Sequence, residues 1–309
     1  MQLLWMQENL NMSERIQKYL SRQGVGSRRY IEGLVKEGRI TVNGKPASAG
    51  EPVTGREEIR VDGKVVDQQP EQALAPRVIM YNKPIGEVCT RSDPEGRKTI
   101  FDRMPTGKGR QLISVGRLDI ATSGLLLLTN DGELANTLMH PSSGVEREYA
   151  VRVFGNVEPE MVKAMVDGVE LEDGIARFTD VQYAGGEGIN NWFHVVLTEG
   201  RNRAVRRLWE SQGLEVSRLK RVRYGNQFLG SDLRTGQWKD LDLPETKALY
   251  RAVGLKPPRK IYKPAPKERQ EIARQQGKRA KPTSASRANA WRRASSSAES
   301  KDSKPARRE

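Results

Sequence analysis

Cysteine is almost missing. Cys89 is the only one, so no intramolecular disulfide can form and a zinc site built from thiolates is excluded. Histidine is nearly as scarce: His140 and His194 leave little for a metal site or for a Ser-His-Asp arrangement. No apolar run reaches the ~18 residues that a membrane-crossing helix needs, and no signal peptide with a cleavage site opens the chain. These absences predict a soluble cytoplasmic protein with no membrane partner and no metal. Its chemistry falls to carboxylate, tyrosine and arginine.

Acidic charge is also in deficit. The 309 residues carry 53 Lys+Arg against 39 Asp+Glu, a net charge of +14, which points to a polyanionic partner. The excess is unevenly placed. From Lys256 to the end there are 17 Lys+Arg and 5 Asp+Glu, leaving residues 1–255 only two charges above neutrality. Contacts of the folded part with a polyanion must therefore come from local clusters.

The length has room for two domains and a tail. Residues 1–12 read as a disordered leader, because Met12-Ser13-Glu14 would begin the protein cleanly. In residues 13–66, Ile16, Tyr19 and Leu20 share a helical face with Ser13 as N-cap. Ser27 opens a second helix with Ile31, Leu34 and Val35 inward. Asn43-Gly44 and Asp62-Gly63 are hairpin turns between short strands. Residues 67–76 are a polar linker, 77–255 a larger domain, and 256–309 a basic tail too polar to bury a core. Many short strands with few helices between them, and no βαβ alternation, indicate an α+β fold with a mostly antiparallel mixed sheet.

The most informative stretch is Val115–Gly132, V-G-R-L-D-I-A-T-S-G-L-L-L-L-T-N-D-G. Leu125–Leu128 between Gly124 and the Asn130-Asp131-Gly132 turn reads as a strand buried on both faces. Asp119 then lies on a loop entering the core, where a carboxylate is costly unless paired or functional. A lone Asp beside an Arg is most often a turn or cap residue. Over its whole length, however, the stretch resembles the signature loop of the RNA pseudouridine synthases of the RsuA/RluB type. Two other segments extend the resemblance. Residues 21–44, S-R-x-G-x-G-S-R-R-x-I-E-x-L-V-x-x-G-R-I-T-V-N-G, resemble the alpha-L RNA-binding module of a small-subunit ribosomal protein. Asn82-Lys83-Pro84-Ile85-Gly86 resembles the motif that opens the catalytic domain.

The resemblance implies the pseudouridine synthase fold with a central cleft and isomerisation of a uridine in ribosomal RNA. Asp119 would be the catalytic carboxylate. Tyr149, which periodicity alone would make a half-buried core residue, would stack on the base. Arg206 would pair with Asp119, Arg117 would fill the space left by the flipped base, and Leu219 and Lys83 would line the substrate site. Of Arg203, Arg206 and Arg207, one must face the core and need a carboxylate. Lys18, Arg22, Arg28, Arg29 and Arg39 of the small module, with Arg201 and Arg203, are the expected RNA-backbone contacts. The reaction needs no cofactor. The G-G-E-G-I-N-N-W and R-R-L-W-E segments and the basic tail favour large-subunit 23S RNA, free or in an assembly intermediate, with a monomeric enzyme. The alternatives are a small-subunit uridine, a non-catalytic rRNA-binding assembly protein, and a carboxylate-based nucleoside hydrolase. The last lacks a second carboxylate motif near Asp119.

Overall fold

The computed structural model of the chain describes residues 13–66, 75–105 and 111–264, with Pro266, Gln270, Ile272 and Ala273. The expected leader, positions 67–74 of the linker and most of the tail lie outside the described residues. One compact unit runs to Tyr262 and a second is formed by Lys263–Glu309. The expected start of the tail at Lys256 is therefore early: Tyr262 is only 8% exposed, its ring lies 4.5 Å from the Arg77 guanidinium and its N–H donates to Pro76.

The amino-terminal module contains β1 (Glu14–Arg15), α1 (Ile16–Arg22), α2 (Arg28–Lys36), β2 (Ile40–Val42), β3 (Lys45–Pro46), β4 (Pro52–Val53), β5 (Ile59–Val61) and β6 (Lys64–Val65). Ile16, Leu20, Ile31, Leu34, Ile40 and Ile59 close its core. Ser27 caps α2 by accepting the Tyr30 N–H, as expected. Ser13 does not cap α1, because Glu14 and Arg15 are drawn into a short antiparallel pairing with Val53 and Pro52. Asn43-Gly44 and Asp62-Gly63 both take positive φ at each residue, the twist that suits a two-residue hairpin.

The second domain begins with β7 (Val78–Lys83), β8 (Ile113–Ser114), β9 (Ser123–Thr129), α3 (Gly132–Met139), β10 (Arg147–Phe154) and α4 (Pro159–Asp167). It continues with β11 (Val169–Leu171), β12 (Gly174–Ala176), β13 (Asp180–Glu187), β14 (Asn190–Leu197), α5 (Ala204–Glu210), β15 (Glu215–Tyr224), β16 (Gln227–Phe228), β17 (Trp238–Asp240) and α6 (Leu243–Ala252). Its nine-stranded sheet runs β13-β14-β10-β15-β9-β7-β17, with β16 on β15 and β8 on β9. Every pairing is antiparallel except β15 with β9. The α+β expectation with a mostly antiparallel sheet holds.

That parallel seam joins two halves with separate cores. On one side Trp209, Phe178, Phe193, Val151 and Leu219 pack under α5. On the other Leu125, Leu127, Leu134, Leu138 and Leu249 pack under α3 and α6. Leu125–Leu128 are all fully buried, at roughly 1.5–3 kcal/mol of transfer free energy per side chain, so β9 anchors the seam. Only two rungs cross it, Lys220 with Ser123 and Arg221 with Gly124. A Cβ on Gly124 would stand 2.2 Å from the Arg221 carbonyl oxygen, so the glycine is what lets the strands close.

Candidate active site

The carbonyls of one turn organise the site. Residues 119–122 connect Leu118 to β9, and the Thr122 N–H donates to the Asp119 carbonyl at 3.0 Å, closing a β-turn. Each carbonyl in that turn is held. Lys83 Nζ donates to Asp119 at 3.1 Å, to Thr122 at 3.0 Å and to its neighbour Pro84 at 3.0 Å. The Gly86 N–H donates to Ile120 at 2.8 Å, and Arg206 Nη2 donates to Ala121 at 3.3 Å. One residue earlier, Cys89 brackets Leu118, its thiol donating to the Leu118 carbonyl at 3.3 Å and its sulfur accepting the Leu118 N–H at 3.4 Å.

The Asn-Lys-Pro-x-Gly segment is thus the clasp of the Gly-Arg-Leu-Asp loop. Lys83 ends β7 and is 0% exposed. Its pKa is lowered by burial, which the negative charges of Glu87 and Asp119 oppose. Its expected place among the substrate-lining groups needs correcting: an ammonium spent on three carbonyls beneath the loop positions the turn and does not reach a base. Burial pushes the Cys89 thiol pKa up, so Cys89 stays a neutral clasp.

The turn leaves its carboxylate free. Asp119 is half-buried and its side chain accepts no hydrogen bond from any described residue. Arg117 is exposed two positions before it and has no ion-pair partner among the described residues. Arg206 is buried on α5, as the helical pattern requires for one of the three arginines, but its partners differ from the expectation. Nη1 donates to the Val216 carbonyl at 2.7 Å, Nη2 to Ala121, and buried Nε has no partner. The expected ion pair with Asp119 is not formed in this structure. The two groups act through space: burial, and then Arg203, lower the Arg206 pKa, and the negative charge of Asp119 counters them. Backbone carbonyls, which no sequence pattern advertises, take the role expected of a carboxylate.

Tyr149 and Leu219 reach the same seam through the sheet. Tyr149 on β10 pairs with Arg221 on β15, and Arg221 pairs with Gly124 on β9. At about 4.8 Å per strand, this sets Tyr149 roughly 10 Å from the start of β9. Leu219 is buried on β15, its carbonyl accepting from Ser123 Oγ at 3.4 Å, and Tyr149 packs against the same apolar cluster. The Tyr149 hydroxyl has no partner among the described residues. Asp119, Arg206 and Lys83 thus lie at the turn before β9, Leu219 lies on the adjoining strand β15, and Tyr149 lies one strand further out on β10.

Sequence reasoning missed Arg221. It is 2% exposed, its Nε donates to the Leu125 carbonyl at 2.7 Å, and its Nη2 is buried without a partner. The V-S-R-L-K-R-V-R-Y pattern gives no sign of which basic residue turns inward. Lys220 beside it is half-buried, with its pKa lowered by burial.

The expected RNA-contact arginines divide. Arg201 donates to the carbonyls of Gly174 at 2.9 Å and Ile175 at 2.7 Å and pairs with Glu199 at 2.8 Å, so it fastens the β11–β12 hairpin and is already occupied. Arg203 meets Glu210 at 3.1 Å on the surface, and Arg207 meets Asp173 at 2.8 Å. In the module, Lys18 and Arg22 share Glu14, and Arg39 is bidentate on Asp62 at 2.6 and 2.8 Å. Arg28 and Arg29 are exposed, with no ion pair to any described residue.

This arrangement, a mixed sheet carrying a clasped aspartate turn at its central seam, has clear counterparts. A family model for RNA pseudouridylate synthase matches residues 77–211, and one for the S4 domain matches residues 14–59. The chain belongs to the RNA pseudouridylate synthase family. Among curated relatives it is 59% identical over 247 residues to ribosomal large subunit pseudouridine synthase B of Vibrio cholerae, covering 80% of this chain and 77% of that one. The protein of the same name from Escherichia coli is 51% identical over 271 residues, covering 87% and 93%. A crystal structure of a pseudouridylate synthase superposes with a TM-score of 0.54 at 25% identity, covering 77% of this chain and all of that one. No helix among the described residues is long and apolar enough to cross a membrane.

Proposed function

We propose that this enzyme converts a uridine of large-subunit, 23S ribosomal RNA to pseudouridine, with Asp119 as the catalytic carboxylate. The observation that carries the reading is the turn at 119–122: four carbonyls are held from below while the carboxylate is left without a partner. A group fixed by its backbone and free at its side chain is what a positioned nucleophile or base requires.

The reaction breaks the bond between N1 of the base and C1′ of the ribose, turns the ring and joins C5 to C1′. N1 gains a proton and C5 loses one, so no redox partner or energy source enters. A carboxylate serves as nucleophile at C1′ or at the base, or as base toward a sugar proton; each route needs it ionised. Arg206 supplies a nearby positive charge without covering the oxygens. The base must leave its stack, at a cost of a few kcal/mol, and exposed Arg117 is available to fill the vacancy. Tyr149 offers a ring face to the extruded base, and Leu219 an apolar wall.

The names of the relatives, the S4 module and the basic balance of the chain support ribosomal RNA as the substrate. We place the enzyme in the cytoplasm as a monomer, acting during large-subunit maturation. The test is Asp119→Asn, which keeps size and backbone while removing the charge. On a large-subunit rRNA fragment it should abolish isomerisation with affinity within a few-fold of wild type. Appreciable turnover by this variant contradicts the assignment.

A further inference from the structure

The amino-terminal module presents an aromatic ring that the reading so far does not use. Tyr30 lies in the first turn of α2 and is 54% exposed, although it is one of the largest apolar side chains of the module. Its ring is not adrift. A Cβ placed on Gly26 would fall 2.4 Å from Tyr30 Cδ1 and 3.2 Å from Cε1, so one edge of the ring rests against a residue with no side chain. Gly26 does not have the positive φ that would demand glycine for its backbone. Room for the ring is its reason to be glycine. One ring edge is held against Gly26 while more than half of the residue stays exposed, an aromatic positioned before any partner arrives.

The two residues before Tyr30 are Arg28 and Arg29, which have no ion-pair partner among the described residues, whereas Lys18, Arg22 and Arg39 are paired. Arginines in a first helical turn work against the helix dipole, so helix stability does not account for them. Arg29, the residue before Tyr30, and Arg28, whose Nη2 lies near Gly132 at the start of α3, add positive charge to the turn that carries the ring. Charge that follows phosphates and a ring that stacks on a base are the combination that binds single-stranded nucleic acid.

We propose that Tyr30, with Arg28 and Arg29, forms a stacking site for an unpaired base of the RNA substrate. This inference rests on the reading of the chain as an RNA-modifying enzyme, and gives the module a contact that selects looped over fully paired RNA. A phosphate-backbone reader alone would not discriminate in that way.

The experiment is a salt series of affinities for the full chain and for Tyr30→Ala, Tyr30→Phe, Gly26→Ala and Arg28→Ala. The two probes are an rRNA fragment with an unpaired loop and a perfect duplex of equal length. Tyr30→Ala should bind the loop roughly 5- to 150-fold more weakly, the range for one lost base–aromatic stack, with an unchanged salt slope and unchanged duplex binding. Tyr30→Phe should retain affinity. Gly26→Ala, which removes no charge and no ring but pushes the Tyr30 ring aside, should lose part of it. Arg28→Ala should weaken both RNAs and lower the slope by about 1. Thermal melts should match wild type for the Tyr30 variants. Equal loop affinity of Tyr30→Ala and wild type overturns the proposal, as does equal loss on loop and duplex. If naked-RNA binding is unchanged and only association with protein-containing ribosomal particles falls, the ring serves a protein partner and the proposal is wrong. Binding is read without turnover, so an active Asp119→Asn would refute the catalytic assignment and leave this one standing. Absence of RNA affinity in the wild-type protein would refute both.

Discussion

Lys83 and Arg206 in the catalytic domain meet only backbone carbonyls, whereas Lys18, Arg22 and Arg39 in the amino-terminal module meet carboxylates. The first pair is buried and the second group exposed. Exposed ion pairs contribute about 0–1 kcal/mol and exchange partners easily, so a phosphate can displace a glutamate at little cost. Buried hydrogen bonds from a charged donor contribute about 1.5–3 kcal/mol, and a partner left unsatisfied costs more. Cations of one kind therefore do two jobs here. Beneath the turn at 119–122 they fix the position of a backbone segment, and on the module we propose that they hold a reserve of attraction for RNA.

The comparison can be broken most forcibly at the seam. Gly124→Ala puts a methyl group 2.2 Å from the Arg221 carbonyl at a backbone φ of +104, combining overpacking with left-handed strain. We expect a loss of about 2–5 kcal/mol in chemical denaturation and no detectable turnover. Near-wild-type stability would mean that the two halves of the sheet tolerate separation and that the turn is not held as described.

Next in size is Arg206→Ala, which frees the carbonyls of Ala121 and Val216 and removes the charge near Asp119. Turnover at saturating RNA should fall by at least ~100-fold, the scale of a displaced catalytic group. Affinity should change little. Arg206→Lys should rescue poorly, because one ammonium cannot bridge two carbonyls in the planar geometry of guanidinium. A change confined to affinity and its salt dependence would move Arg206 into the RNA-contact group.

The smallest effects belong to the module. Arg28→Ala and Arg29→Ala should each lower the slope of log affinity against log salt by about 1, while Arg39→Ala should lower it less, its guanidinium being already committed to Asp62. Equal slopes for all three would erase the distinction between free and paired surface arginines.

The sequence revealed those parts of the fold whose signals are local. The two hairpin turns, the Ser27 cap and the buried strand of four leucines are each written in a few adjacent residues, and each is found. Pairings made at a distance were hidden. Glu14 and Arg15 become a strand because of Pro52 and Val53, far along the chain. β13 runs on through Gly186 and Glu187, although a Gly-Gly-Glu-Gly run by itself reads as a turn, because β14 pairs with it across a register shift. The site was legible as a list of residues and not as a set of contacts. Asp119, Leu219 and Arg206 lie where β9 adjoins β15 and Tyr149 lies one strand away on β10, but the partners of Arg206 and Lys83 are carbonyls, which every residue carries and no pattern marks. Arg221 was invisible for a related reason: alternation in a bulged strand does not say which basic residue is turned inward.

The central claim is that this chain makes a pseudouridine in large-subunit ribosomal RNA through Asp119. It is tested most directly by mapping pseudouridines in that RNA from a strain lacking the protein, complemented either with the wild-type chain or with Asp119→Asn. The account predicts that one position reverts to uridine in the deletion, that the wild-type chain restores it, and that Asp119→Asn does not. An unchanged map in the deletion strain, or restoration by Asp119→Asn, would contradict it.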